Sequence, residues 1–163
     1  ESVIKELCPN GAILVGSSNG GWVSLLAAIR NPIIVKAVVG VAAAPDFTED
    51  IWNSLGGDKQ REMEKHGKIE FTAGPYTYDI SHDLILDGRK HFLLDKSSIN
   101  VSCKVRLLHG LADNEVDYNK SLLLAQKIRS QDLLCTLIKS AAHNMSREED
   151  LMLIAGSIEH LLT

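Results

Sequence analysis

The sequence predicts an α/β fold, a parallel sheet with helices on both faces. Four apolar runs, Ala12 to Val15, Val35 to Val41, Lys104 to Leu108 and Leu133 to Ile138, have strand length. The first three are nearly continuous in apolarity, as strands covered on both faces are. Segments of helical periodicity separate the runs, and strands alternating with helices give a parallel sheet. The 163 residues, 45% of them hydrophobic, suffice for one domain with a sizeable core and are too few for two comfortable ones.

Taken in order, Glu1 to Leu7 reads as the tail of a helix and Ala12 to Val15 as the first strand. Gly20 to Arg30 is apolar almost all round, the mark of a buried helix, and Asn31-Pro32 stops it. The second strand, Val35 to Val41, is followed at Asp46 to Ser98 by a break in the rhythm. This stretch is polar, is punctuated by Gly56-Gly57, Gly74-Pro75 and Asp87-Gly88, and has helical pieces around Thr48 to Leu55, Lys59 to Lys65 and Ile80 to Leu94. An excursion of that size between core strands reads as a helical cap insertion at about 46–98, leaving and re-entering where loops carry function. Its Trp52, Phe71, Tyr76 and Tyr78 divide between cap core and cap lining. After the third strand, Asn119 to Ser130 shows one apolar face through Leu122, Leu123, Ala125, Gln126 and Ile128. Arg147 to Leu162 repeats Leu151, Ile154, Ile158 and Leu161 at helical spacing.

Several function classes are excluded at this level. The net charge is −4 and no Lys/Arg cluster forms the basic stripe that phosphate neutralisation requires, so no nucleic acid is expected. Cys8, Cys103 and Cys135 are widely spaced without a C-x-x-C, which suggests neither a disulfide framework nor a zinc site. No metal and no cofactor are expected, and the thiols read as those of a reduced, cytoplasmic chain. No apolar run approaches the roughly 18 residues of a membrane span.

The chemistry centres on Gly16-Ser17-Ser18-Asn19-Gly20-Gly21, between the first strand and the helix that opens near Trp22. A serine in G-x-S-x-G at a strand-to-helix turn matches the nucleophile elbow, which lifts the hydroxyl above the sheet. Gly16 and Gly20 are expected to be small because β-carbons there would collide with strand and helix. Ser18 is thus the candidate nucleophile. A serine hydroxyl needs a base, and the base an orienting acid. His109-Gly110-Leu111-Ala112-Asp113-Asn114-Glu115-Val116 puts Asp113 in the loop after the third strand, and Ala141-Ala142-His143-Asn144 puts His143 in the loop after the fourth. Glu115 and Asp117 are rival acids, more simply read as favourable charges at a helix start. His109 is expected to pack or hydrogen-bond beneath the acid loop. His66, His82 and His91 fall in the insertion, and His160 lies near the end of the last helix, where a cation suits the dipole. A phosphate-binding use of the glycine turn fails, because G-x-x-x-x-G-K-[ST] is absent.

The order Ser18, Asp113, His143, the H-G-x-x-D-x-x-V pattern, Val15 to Trp22, Val105 to Gly110 and Asn119-Lys120-Ser121 together resemble the α/β-hydrolase superfamily over essentially the whole chain. Within it the likeness is to small serine esterases and thioesterases, in particular the abhydrolase-domain acyl-protein thioesterase and acyl-glucuronide esterase group. The resemblance implies a three-layer α/β-hydrolase fold and a serine hydrolase of carboxylic esters or thioesters working through an acyl-enzyme. Ser18 would attack, His143 shuttle the proton, Asp113 hold the imidazole tautomer, and the Asn19 backbone N–H serve the oxyanion hole. Trp22 is core or lines an acyl pocket. The chain departs from the family pattern at Asp117, where Pro is usual, and at Ala141-Ala142.

The resemblance also implies a truncated sheet. The family has strands before the elbow strand, one of them followed by the loop with the second oxyanion donor. The expectation is therefore a C-terminal portion of a larger hydrolase, or a chain whose 12–15 edge is covered by a homodimer mate or an N-terminal partner. The alternative is a catalytically weak or inactive hydrolase serving as a binding or assembly partner.

Overall fold

Parallel pairing is what the apolar runs produce in the computed structural model, which describes residues 2–73 and 76–162. The elements are α1 (Ser2–Leu7), β1 (Ala12–Ser17), α2 (Asn19–Arg30), β2 (Val35–Val41), α3 (Phe47–Ser54), α4 (Gly56–His66), β3 (Lys68–Ala73), β4 (Tyr76–Ser81), α5 (His82–Arg89), β5 (Lys104–Gly110), α6 (Asn119–Lys127), β6 (Leu133–Ile138) and α7 (Glu148–Leu162). They divide into two compact units, Asp46–Leu93 and the remainder.

The larger unit is built on a parallel sheet of order β1-β2-β5-β6. In one register row, Gly16, Gly40, Leu107 and Cys135 stand side by side and face the same way. On that face Gly16 meets Ser24 of α2, and Cys135 reaches the Ser121 carbonyl of α6. The neighbouring residues of each strand face the other way. There Ala37, Val39, Val41 and Leu108 form a core with Leu161, packed by Ile154 and Ile158 of α7. Helices thus cover both faces. α2 ends where expected, the backbone N–H and side-chain amide of Asn31 both donating to the Ala27 carbonyl just before Pro32.

Three expectations about this unit change. β2 and β5 are buried almost throughout, but β1 is only half-buried and Val15 is 49% exposed, because β1 is an edge strand. In α6 the inward positions are Ser121 and Leu124, followed by Ile128, while Leu123 faces solvent. In α7 the inward residue of the first turn is Asp150 and Leu151 is exposed. Arg147 explains the inversion: its Nε and Nη2 fork onto the Asp150 carboxylate at 2.8 and 2.6 Å, and its Nη1 reaches Ser140 Oγ at 3.0 Å. A buried carboxylate with a bidentate partner can hold the position an apolar residue would otherwise take.

The smaller unit has its own core of Met63, Ile69, Ile80 and Ile85, packed by Ile51, Trp52, Leu55 and Phe71. It is not purely helical. β3 and β4 form an antiparallel hairpin with Ile69 opposite Ile80 and Phe71 opposite Tyr78. The Gly74-Pro75 break and the side chain of Tyr76 lie outside the described residues. Trp52 stacks on His82 at 5.7 Å between centroids, with the Arg89 guanidinium 5.0 Å from its ring. The unit is closed at its ends: the left-handed Asp46 accepts the Leu93 backbone N–H on Oδ1 at 2.8 Å. It thus ends at Leu93, and residues 94–98, placed in the insertion from sequence, go with the larger unit. A β-carbon at Gly88 would lie 2.2 Å from Thr48 Oγ1, so α3 and α5 approach only because no side chain intervenes. Gly88→Ala is expected to destabilise this unit by about 1–3 kcal/mol, read as lost hydrogen-exchange protection in α3 and α5.

Candidate active site

Because the sheet is parallel, the exits of β1, β5 and β6 lie at one end of it, and these exits carry Ser18, Asp113 and His143. Ser18 has φ 52° and ψ −122°, a conformation a non-glycine residue adopts at a cost of about 1–3 kcal/mol when its surroundings enforce it. The enforcement is visible. The Ser18 N–H donates to the Val41 carbonyl at 2.9 Å, and its carbonyl accepts from Gly21 and Ala44, each at 3.0 Å. The turn is tight at Gly16, where a β-carbon would sit 2.2 Å from the Gly20 carbonyl oxygen. The second sterically required glycine is not Gly20, whose β-carbon would meet nothing within 4 Å, but Gly21, whose β-carbon would lie 2.5 Å from that of Ala43. The helix packs against the exit of β2 one residue later than the motif suggests.

Asn19 opens α2, where the first N–H groups of a helix have no partner within it. Trp22 follows within the first turn and is 4% exposed, a burial that fits a core residue.

The acid and base loops are fastened to each other by backbone. Leu111 N–H donates to the Ile138 carbonyl at 2.8 Å and Ala112 N–H to the Ala141 carbonyl at 3.1 Å. Gly110 allows this approach, since a β-carbon there would be 2.0 Å from the Ala141 carbonyl oxygen. Across the junction His143 Nδ1 lies 2.8 Å from Asp113 Oδ2. Asp113 Oδ1 accepts the Glu115 and Val116 N–H groups at 2.8 and 2.9 Å, and its side chain is out of solvent. Burial would push the Asp113 carboxyl up, but the Val116 N–H, the His143 ring and the Glu115 N–H together outweigh it and hold the group below its ordinary value. An ionised Asp113 accepts the Nδ1 proton, which leaves Nε2 of His143 as the nitrogen able to take a proton from elsewhere.

The rival carboxylates sit differently. Asp117 Oδ1 accepts the backbone and side-chain N–H groups of Asn119 at the start of α6. Glu115 is half-exposed, with Oε2 3.8 Å from His143 Nε2. His109 is fully buried and lies 3.1 Å from Asp113 Oδ2, so the acid meets two imidazoles. Sequence spacing pointed beneath the acid loop for His109 but did not disclose Ser121 as its other partner, nor the part played by Gly110.

No protein-family model matches the chain. Among curated proteins it is 35% identical over 165 residues to the human palmitoyl-protein thioesterase ABHD10, mitochondrial, covering 99% of this chain and 53% of that protein. The mouse counterpart is 36% identical over 167 residues, with 99% of this chain and 55% of that protein covered. Among solved structures, the α/β hydrolase domain-containing protein 10 from mouse superposes with a TM-score of 0.86 at 36% identity, over 99% of this chain and 65% of that one. A putative hydrolase from Agrobacterium vitis S4 gives 0.88 at 33%, with the same coverages.

The fold is that of the α/β-hydrolases.

More distant solved structures agree on the fold alone, among them a monoacylglycerol lipase from Paleococcus ferrophilus with a TM-score of 0.67 at 20% identity. The chain spans about half the length of the curated relatives it matches. Those relatives are named mitochondrial, which lends nothing to the cytoplasmic expectation. Among the described residues no helix is long and apolar enough to cross a membrane.

Proposed function

We propose that Ser18, His143 and Asp113 form the catalytic triad of a serine hydrolase that cleaves carboxylic esters or thioesters through an acyl-enzyme. The observation that carries this reading is the 2.8 Å contact between His143 Nδ1 and Asp113 Oδ2, at the sheet end that also carries the strained Ser18 turn. In the proposed reaction Ser18 Oγ attacks the acyl carbonyl while His143 Nε2 takes the hydroxyl proton. The imidazolium then protonates the departing alcohol or thiol, and Asp113 stabilises it throughout. Water repeats the sequence in reverse and releases the acid. The Asn19 N–H, unpaired within its helix, suits the developing oxyanion. The name of the curated relatives puts a palmitoyl-protein thioester first among the substrates to try.

The test is hydrolysis of p-nitrophenyl esters across acyl lengths, with fluorophosphonate labelling, by this chain and by Ser18→Ala. Turnover and labelling lost in Ser18→Ala support the reading; turnover that survives the substitution overturns it.

Among the described residues no strand pairs with the outer edge of β1, which favours a second reading, in which this chain is weak alone and depends on another segment or a second copy along that edge. Removing one oxyanion donor costs on the order of a hundred- to a thousand-fold in rate. Activity gained only when upstream sequence is added would select this reading, and silence in both forms would favour a binding or assembly role.

A further inference from the structure

We propose that His109 is a positioning residue that clamps the Asp113 carboxylate from the side opposite His143. This inference rests on the triad reading, because it assigns His109 a role through Asp113 rather than on substrate. His109 is the penultimate residue of β5 and has no exposed side-chain surface. A buried imidazole with nothing to do would be a costly choice for a strand end, and this one has a partner at every nitrogen. Nδ1 lies 2.8 Å from Ser121 Oγ; Nε2 lies 3.1 Å from Asp113 Oδ2 and 3.0 Å from the Val116 carbonyl.

These partners fix the proton. A carbonyl oxygen only accepts, and an ionised carboxylate only accepts, so Nε2 carries the hydrogen and shares it between them. Ser121 then donates its hydroxyl to the bare Nδ1. The result is a directional chain from Ser121 through His109 to Asp113, and from His143 to the same Oδ2.

With His109 counted, the carboxylate accepts four donors: Glu115 and Val116 N–H on Oδ1, His109 and His143 on Oδ2. Rotation of the carboxylate would disturb all four at once. The two backbone donors hold one oxygen; His109 is the only side chain besides the base that these contacts place on the other. Oδ2 is thereby held where His143 Nδ1 must meet it, whether or not the base is momentarily displaced. Since Ser121 sits on α6 and Val116 in the acid loop, the clamp also ties the acid to an element carrying no chemistry of its own.

Three substitutions separate this role from simple packing. His109→Gln puts an amide N–H near the place of Nε2 and keeps the contact to Asp113; His109→Asn puts its amide near Nδ1 and keeps the contact to Ser121; His109→Phe keeps neither. The experiment measures the rate at which a fluorophosphonate labels Ser18 in each variant of the chain, and the protonation sites of its 15N-labelled imidazoles by NMR. Expected in the wild type are a proton on Nε2 of His109 and on Nδ1 of His143. His109→Gln should label within about threefold of the wild type, while Asn and Phe fall by about tenfold or more with loss of the His143 Nδ1–H resonance. If His109→Phe does not fold, the Gln and Asn pair decides alone.

A bare Nε2 on His109 overturns the proposal, and so does an Asn variant that labels as fast as Gln with an unchanged His143 resonance. A wild type that labels neither alone nor with upstream sequence added refutes the triad reading instead, and the NMR arm then tells by itself whether His109 holds Asp113.

Discussion

Asp113→Asn is expected to leave the sheet folded and to lower the reactivity of Ser18 by three to four orders of magnitude, on the order of the loss known when a triad acid becomes an amide. The reason lies in the four donors around the carboxylate. An asparagine can keep its one oxygen on the Glu115 and Val116 N–H groups, but its NH2 then faces the ring N–H groups of His143 and His109. Donor meets donor, and His143 relieves the conflict by moving its proton to Nε2, the nitrogen that in the proposed reaction must accept from Ser18. Ester hydrolysis and fluorophosphonate labelling measure the loss, and a circular-dichroism spectrum that shows the variant folded at the assay temperature separates it from unfolding.

The same carboxylate sets a pH dependence whose sign is fixed. Its pKa is lower in the folded chain than the ordinary value of 3.8, so folding favours the ionised form. The stability it contributes is fully present above that value and is lost as the pH falls through the lower, folded one. Asp113→Asn should therefore narrow its stability deficit against the wild type below about pH 4 and show the full deficit at neutrality. Paired urea titrations at pH 3 and pH 7 check this. A loss of activity between pH 5 and 7 would then belong to some group other than the acid.

Gly110→Ala is the second large effect. Its β-carbon would sit 2.0 Å from the Ala141 carbonyl oxygen and 2.5 Å from the carbonyl carbon, both backbone, so no side-chain rotation relieves the overlap. The acid and base loops must part. The Ala112 to Ala141 hydrogen bond stretches, and with it the Asp113 to His143 contact. A cost of about 1–3 kcal/mol in stability is expected, as for other overpacked positions. The activity loss should exceed what the fraction unfolded explains, because a displacement near 1 Å at a reacting pair can cost about a hundredfold. Thermal midpoint and labelling rate, measured on one preparation, distinguish the two.

Much of this architecture could be read from the chain before any coordinates. The core strands announced themselves because β2 and β5 are buried on both faces and so are apolar without interruption. What stayed hidden did so for specific reasons. The β3–β4 hairpin carries its signal in Ile69 and Phe71 alternating with Lys68, Glu70 and Thr72, a weak period-two pattern inside a segment whose overall polarity suggested only helices and loops. Leu123 and Leu151 were placed inward because hydrophobicity alone cannot see that Ser121 has an imidazole to bond and Asp150 an arginine. For the site, the order and loop placement of Ser18, Asp113 and His143 were legible, since each follows an apolar strand. The buried support was not. Whether a histidine ending a strand is packing or wiring depends on atoms twelve residues away, and Gly20 and Gly21 are indistinguishable until the distance to Ala43 is known.

The exit of β2 contains no group able to do chemistry, only Ala42, Ala43, Ala44 and Pro45, yet it anchors the backbone of Ser18 at both its N–H and its carbonyl through Val41 and Ala44. If Ser18 is the nucleophile as proposed, its reactivity thus has a mute half. A survey of substitutions scored only by function would mark this run of small residues as sharply as the proposed nucleophile itself, and a reader guided by side-chain chemistry would pass over it. Drift in such a molecule is limited less by what its reactive atoms are than by how little room the neighbouring turn leaves, so loss of activity can begin at an alanine that touches no substrate.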